Sequence, residues 1–202
     1  MTLNLFGHDS PRLDLPDAEV QYFESVDLGI THDDLLEQLI AEVPWEQRTI
    51  TVWGKTYPQP RLIAWYGDPG CGYTYSGIQL SPLPWTELLT EVKLAVEKTV
   101  GSPFNSALLN LYRNHRDSMG FHSDNEPELG PNPIIASLSL GAERVFTLKH
   151  RSKTVPSTRL TLGSGTVLLM AGETQRYWVH GINKQTKPCG PRVNITFRRI
   201  LT

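Results

Sequence analysis

The fold is constrained most by the C-terminal half of the chain. After Gly101 the sequence runs as short β-type segments separated by Gly, Pro and Asn turns, over residues 106–113, 134–140, 143–150, 159–162, 165–171, 177–182 and 192–201. Short strands at such even spacing predict a sandwich or a jelly roll. Two helices are predicted before them. Thr31-His-Asp-Asp34 has the form of a cap, and Leu35, Leu36, Leu39, Ile40 and Val43 make one apolar stripe that ends before Pro44. Leu88, Leu89, Val92, Ala95, Val96 and Val100 make a second stripe over residues 84–100, with Pro84 near its start and Gly101 as its stop. Such a two-helix part would cover one side of the sheet. Residues 1–20, polar and acidic with Pro11 and Pro16, read as a partly ordered leader, and residues 21–202 as a single domain.

Charge is divided unevenly along the chain. Residues 1–47 hold eleven Asp or Glu against Arg12 alone, a balance of −10, whereas the remainder holds 18 Lys or Arg against 10 acids, a balance of +8. A basic body behind an acidic leader is compatible with an anionic partner, and an ordinary mixed surface accounts for the same charges. No stretch approaches the ~20 consecutive apolar residues of a membrane span, so no membrane partner is expected. The N-terminus has no basic region before an apolar run, which predicts an intracellular protein, cytoplasmic in a bacterium and nuclear in a eukaryote. Cys71 and Cys189 fit no zinc spacing and are expected to be free thiols.

The residues that carry chemistry cluster between Asn110 and Glu126. Asn110 and Tyr112 sit two apart on a strand-like run; a polar turn closed by Gly120 follows, then His122-Ser-Asp124. Side chains two apart in an extended chain project to one side, so His122 and Asp124 can grip one ion together. A third ligand would have to come from elsewhere; His180, on the otherwise apolar run 177–182, is a candidate, although a lone histidine there is more often structural. Two His and one carboxylate leave three open positions, the arrangement that suits non-heme Fe(II) and O2. On the strand Arg192-Val-Asn-Ile-Thr-Phe-Arg198, alternation puts Arg192, Asn194, Thr196 and Arg198 on one face; that face is either solvated or lines an anion site.

Taken together, these motifs resemble the AlkB family of Fe(II)- and 2-oxoglutarate-dependent nucleic-acid demethylases. The resemblance spans roughly residues 45–201. Within the family, Val52-Trp-Gly-Lys55, Tyr73-Thr-Tyr-Ser-Gly77 and Leu80-Ser-Pro-Leu-Pro-Trp85 look most like the branch that repairs double-stranded DNA. The resemblance implies a mainly β double-stranded β-helix (jelly roll) with N-terminal helices and a hairpin lid. The nucleotide-recognition lid would cover about residues 48–80 and the jelly-roll core about 104–201. It implies Fe(II) on His122, Asp124 and His180, with 2-oxoglutarate as cosubstrate and O2 as oxidant. Asn110, Tyr112, Asn194 and Thr196 would complete the cosubstrate pocket. Arg192 is assigned to its distal carboxylate and Arg198 to the metal end, an arginine fork being suited to paired bonds with a carboxylate. His115 is a departure, since family members often have Gly there.

The implied reaction turns 2-oxoglutarate into succinate and CO2 and hydroxylates an N-alkyl carbon of a damaged base, which then loses formaldehyde. The expected substrates are 1-methyladenine and 3-methylcytosine in alkylated DNA, duplex by preference, and a monomer is expected. Demethylation of RNA or single-stranded DNA, and a non-catalytic nucleic-acid-binding module, are the alternatives. Read alone, Trp53 at a hairpin tip is more often core than wedge; by resemblance it fills the gap left by a flipped base. Tyr75 and His122 would sandwich the base, with Tyr73, Asn125 and Glu126 at its polar edge. Gly54 shapes the tip, and Lys55, Arg61 and the run Lys149-His-Arg-Ser-Lys153 are candidate phosphate contacts.

Overall fold

The structure, a computed structural model, describes residues 11–52, 54–75 and 78–201. Along the chain, β1 (Arg12–Leu13) and β2 (Glu19–Phe23) precede α1 (His32–Glu42). Then come β3 (Thr49–Val52), β4 (Lys55–Pro58), β5 (Leu62–Gly67), β6 (Tyr73–Tyr75), β7 (Ile78–Leu80) and α2 (Glu87–Val100). The remaining elements are β8 (Ser106–Tyr112), β9 (Met119–His122), β10 (Ile135–Gly141), β11 (Arg144–His150), β12 (Thr158–Leu162), β13 (Thr166–Ala171), α3 (Thr174–Tyr177), β14 (Trp178–Ile182) and β15 (Arg192–Arg198). All seven strands expected after Gly101 form, with ends shifted by one to three residues.

Two antiparallel sheets face each other as a jelly roll. The larger has the order β1-β2-β13-β10-β15-β8-β5 and the smaller β12-β11-β14-β9. β3–β4 and β6–β7 are separate two-stranded hairpins. β5 lies between them in sequence but belongs to the large sheet, so the lid segment 48–80 is two hairpins on either side of a core strand. The boundary expected at residue 20 falls inside β2, which pairs with β13 from Glu19↔Ala171 to Phe23↔Val167. From Pro11 onward the acidic leader is therefore part of the sheet edge.

The helices form where capping and periodicity require. The Thr31 side chain accepts from Asp34 N–H, Val43 closes α1 ahead of Pro44, the Thr86 side chain accepts from Leu89 N–H, and Gly101 ends α2 at φ 69°. Leu35, Leu39, Leu89, Val92 and Val96 pack with Leu109, Leu138, Val193, Ile195 and Phe197 as a core between helices and large sheet. A second core fills the space between the sheets, where Tyr112, Ile135, Leu168 and Met170 meet Phe146, Leu148, Trp178 and Ile182. The alternation of β15 is thereby resolved. Its apolar face lies under the helices, and Arg192, Asn194 and Thr196 are buried at 1, 7 and 8% exposure, not solvated.

Candidate active site

One cleft opens into the space between the two sheets, and both sheets supply its walls. Asn110 and Tyr112 come from β8, and Arg192, Asn194, Thr196 and Arg198 from β15; His122, at the end of β9, and His180, on β14, face them. β9 pairs antiparallel with β14 so that His122 lies opposite His180, and the register then shifts before Ile182↔Met119. Gly181 makes that approach possible. A Cβ there would stand 2.9 Å from Met119 O and 3.2 Å from Gly120 C and O, closer than a side chain tolerates.

His122, Asp124 and His180 each bring a ligand atom within 4.8 Å of the others. The rings of His122 and His180 are 4.5 Å apart, edge on, and Phe146 stacks on His180 at 5.2 Å. The Nδ1 of His122 is hydrogen-bonded to Gly120 O at 2.9 Å, which reserves Nε2 for a ligand. Burial and the neighbouring His180 push the His122 imidazole down to about 4, so it is neutral and ligand-competent at neutral pH. Burial raises the Asp124 carboxyl, but Arg198, His180 and His122 outweigh it and hold the group well below the usual carboxylate range. Arg198 Nη2 pairs with Asp124 Oδ1. Oδ2, 3.5 Å from His180 Nε2, has no hydrogen-bond partner although it is buried.

Opposite the triad is a cation with no anionic partner among the described residues. Arg192 is 1% exposed; its Nη2 donates to Ser139 Oγ at 2.9 Å, while Nε and Nη1 are buried and unpartnered. Burial pushes its guanidinium down to about 10, with Tyr112 opposing and Arg144 adding to the shift. The Tyr112 ring has the guanidinium carbons of both Arg192, at 5.2 Å, and Arg144, at 5.7 Å, over it. Asn194 is held by Ser137 Oγ at 2.8 Å and Leu138 O at 2.9 Å, and its Oδ1 accepts from Thr196 Oγ1 at 3.1 Å. Two imidazoles, a free carboxylate oxygen and an orphaned guanidinium in one cleft fit a divalent metal beside a dicarboxylate.

The residues expected to meet substrate are placed less uniformly. Gly54 has φ 73°, the left-handed conformation the short β3–β4 connection needs, and Lys55 beside it is exposed. Trp53 lies outside the described residues, as do the side chains of Tyr73 and Tyr75. Arg61, expected to contact phosphate, turns inward instead, donating from Nε to Asn110 Oδ1 at 2.8 Å, so it braces that wall of the cleft. Asn125 and Glu126 are exposed just beyond Asp124. Arg151, in the basic run, donates to Ser123 Oγ at 2.8 Å, and Ser123 donates to Asn125 Oδ1 at 3.1 Å. His115 does not have a positive φ and its carbonyl accepts from Gln185 N–H at 3.0 Å, so this turn does not require Gly.

Sequence reasoning missed Ser137, Ser139, Arg144, Gln175 and Gly181. The alternation Ser137-Leu-Ser139 on an apolar strand was a readable signal. Arg144 was not readable, because its partners, the carbonyls of Asn114, Asp117 and Asn183, come from turns distant in sequence.

A jelly roll with a His-x-Asp…His triad facing a buried arginine defines a class, that of Fe(II)- and 2-oxoglutarate-dependent oxygenases. The family model "2OG-Fe(II) oxygenase superfamily" matches residues 30–198, and the chain belongs to that superfamily, among its AlkB-type members. It is 46% identical over 177 residues to human alpha-ketoglutarate-dependent dioxygenase alkB homolog 3, covering 83% of this chain and 61% of that protein. It is 38% identical over 179 residues to human DNA oxidative demethylase ALKBH2, covering 84% of this chain and 69% of that one. The chain thus spans about three fifths of the length of the alkB homolog 3 relatives. In fold it is similar to the solved structure of OsALKBH1, with TM-score 0.62 at 18% identity over 94% of this chain and all of that one. Among the described residues, no helix is long and apolar enough to cross a membrane.

Proposed function

We propose that this chain demethylates N-alkylated bases of DNA, 1-methyladenine and 3-methylcytosine, by Fe(II)- and 2-oxoglutarate-dependent oxidation, with duplex DNA preferred. The observation that carries the reading is the buried Arg192, unpaired by any carboxylate among the described residues, in the same cleft as His122, Asp124 and His180. A buried cation without a counter-ion is costly, and a ligand carboxylate relieves it. Relatives named as a dioxygenase and as a DNA oxidative demethylase support the substrate class.

When bound, Fe(II) couples the decarboxylation of 2-oxoglutarate to insertion of one oxygen atom of O2 into the N-methyl carbon, which leaves as formaldehyde. The chain's own residues do the positioning. His122 and His180 offer ring nitrogens, and Asp124 offers Oδ2 because Arg198 occupies Oδ1. Arg192 takes the distal carboxylate through Nε and Nη1, and Arg198 stays at the metal end. Tyr112, Asn110, Asn194 and Thr196 line the walls between, while Phe146 and Ile182 keep water from the sheet interior. Lys55 stands exposed at the tip of the β3–β4 hairpin, Trp53 is assigned to the base stack, and Tyr73, Tyr75, Asn125 and Glu126 are assigned to the extruded base. Two free thiols and a nucleic-acid substrate support an intracellular setting.

The test is a panel of methylated oligonucleotides, duplex and single-stranded, DNA and RNA, with repair read by mass spectrometry and formaldehyde release. Trp53→Ala is expected to weaken duplex repair at least tenfold more than single-stranded repair; equal losses would remove the wedge. Binding of the panel without any formaldehyde, in the presence of Fe(II), ascorbate and 2-oxoglutarate, would instead favour a non-catalytic module.

A further inference from the structure

Asp124 stands two residues beyond the end of β9, where no neighbouring strand takes its backbone N–H. That N–H donates instead to Gln175 Oε1 at 2.9 Å, across 51 residues of sequence. Gln175 is 1% exposed, and its Nε2 donates to Met170 Sδ at 3.6 Å. The two contacts fix the amide in one orientation, because a flipped amide would set its NH2 against the Asp124 N–H and its oxygen against sulfur. Gln175 belongs to α3, the single turn that runs directly into β14 and so delivers His180. α3 is itself anchored, since Thr174 Oγ1 accepts from Glu19 N–H of β2 at 2.9 Å.

We infer that Gln175 is a positioning residue for the metal centre, holding the Asp124 backbone so that, with Arg198 on Oδ1, the unpartnered Oδ2 faces His180. This inference rests on the reading of His122, Asp124 and His180 as metal ligands. The carboxylate is gripped at two points, main chain and Oδ1, and neither grip uses the atom the metal needs. Through α3 the same residue ties the loop of one ligand to the strand of another. Partners of metal ligands that do not themselves touch the metal set ligand direction, and losing one costs on the order of 10- to 100-fold in metal affinity.

The test uses the full chain and Co(II), whose visible absorption bands report coordination geometry without turnover. Gln175→Leu removes the acceptor at similar volume; Gln175→Asn keeps an amide but is one methylene too short; Gln175→Glu keeps an acceptor at full reach. Relative to the parent, the Leu and Asn variants are expected to bind CoCl2 on the order of 10- to 100-fold more weakly with altered bands. The Glu variant, assayed where the buried side chain is protonated and so keeps both an acceptor and a donor, is expected to keep near-parental affinity and spectrum. Should Gln175→Leu fail to fold, the Asn and Glu pair carries the comparison, with thermal melts of the metal-free proteins showing that each is folded. Parental affinity and spectrum in the Asn variant, or a loss in Glu as large as in Asn, would overturn the role of Gln175. Failure of the parent to bind Co(II) at all would remove the metal centre, and this inference with it.

Discussion

Arg192 sets the energetic character of the site at the scale of one residue. Without a ligand it is a desolvated cation whose company is Ser139, the Tyr112 ring and a second arginine, Arg144. Removing an unpaired buried charge should not harm the empty protein, whereas removing the partner of a buried carboxylate costs about 2–5 kcal/mol. Arg192→Met is therefore expected to leave the melting temperature of the ligand-free protein unchanged or raised, while the KM for 2-oxoglutarate in succinate formation rises about 30-fold or more. A destabilised variant with an unchanged KM would show that Arg192 is structural. The residue pattern made Arg192 and Arg198 visible as one polar face, but which of them was left without an anion depended on Asp124 reaching Arg198 across 74 residues.

At the scale of elements, β9 is the weak point. It has four residues, its pairing with β14 is irregular, and it reaches His180 because Gly181 has no side chain. Gly181→Ala should push β9 outward and lower metal affinity by an order of magnitude or more with only partial loss of fold, measurable by Co(II) titration against circular dichroism. The turn that feeds β9 is pinned by Asp117, which accepts from Arg113 N–H at 2.9 Å and from Arg113 Nε at 2.8 Å. Burial raises the Asp117 carboxyl, but these bonds and the charge of Arg144 outweigh it and leave it below the ordinary value. Its stabilisation is thus present above the unfolded value of about 3.9 and is lost as pH falls through the lower folded value. The stability difference between the parent and Asp117→Asn, read from urea midpoints, should shrink as pH falls from 5 to 3; a constant difference would show no linkage. By pattern alone Met119 and Gly120 belong to a polar turn, because Met-Gly-Phe-His is too short to display a period, and the start of β2 belongs to the leader, because its neighbours are acidic and its partner, β13, lies more than 140 residues away.

For the whole molecule, the cleft joins the two sheets: β8 and β15 of the large one carry the residues proposed to hold the cosubstrate, and β9 and β14 of the small one carry His122 and His180, proposed as metal ligands. Ligands held by both should brace the sandwich. Redox-inert Mn(II) with 2-oxoglutarate at about 100 times Kd is expected to add about 2.7 kcal/mol, or roughly 5–10 °C in Tm for a domain of this size, and EDTA should reverse it. A Tm unchanged by both together would argue against a shared site. What the sequence determined by itself was whatever is local: strands marked by period-2 alternation and turn residues, helices marked by stripes and caps, and a His-x-Asp pair whose spacing is set by backbone geometry. Only the tertiary structure decided which strands pair, that the polar face of β15 is buried between sheets, that Arg61 braces Asn110 and Gln175 holds Asp124. Those contacts join residues tens to more than a hundred positions apart, and their energy comes from burial and desolvation, which no local stretch of chain can specify alone.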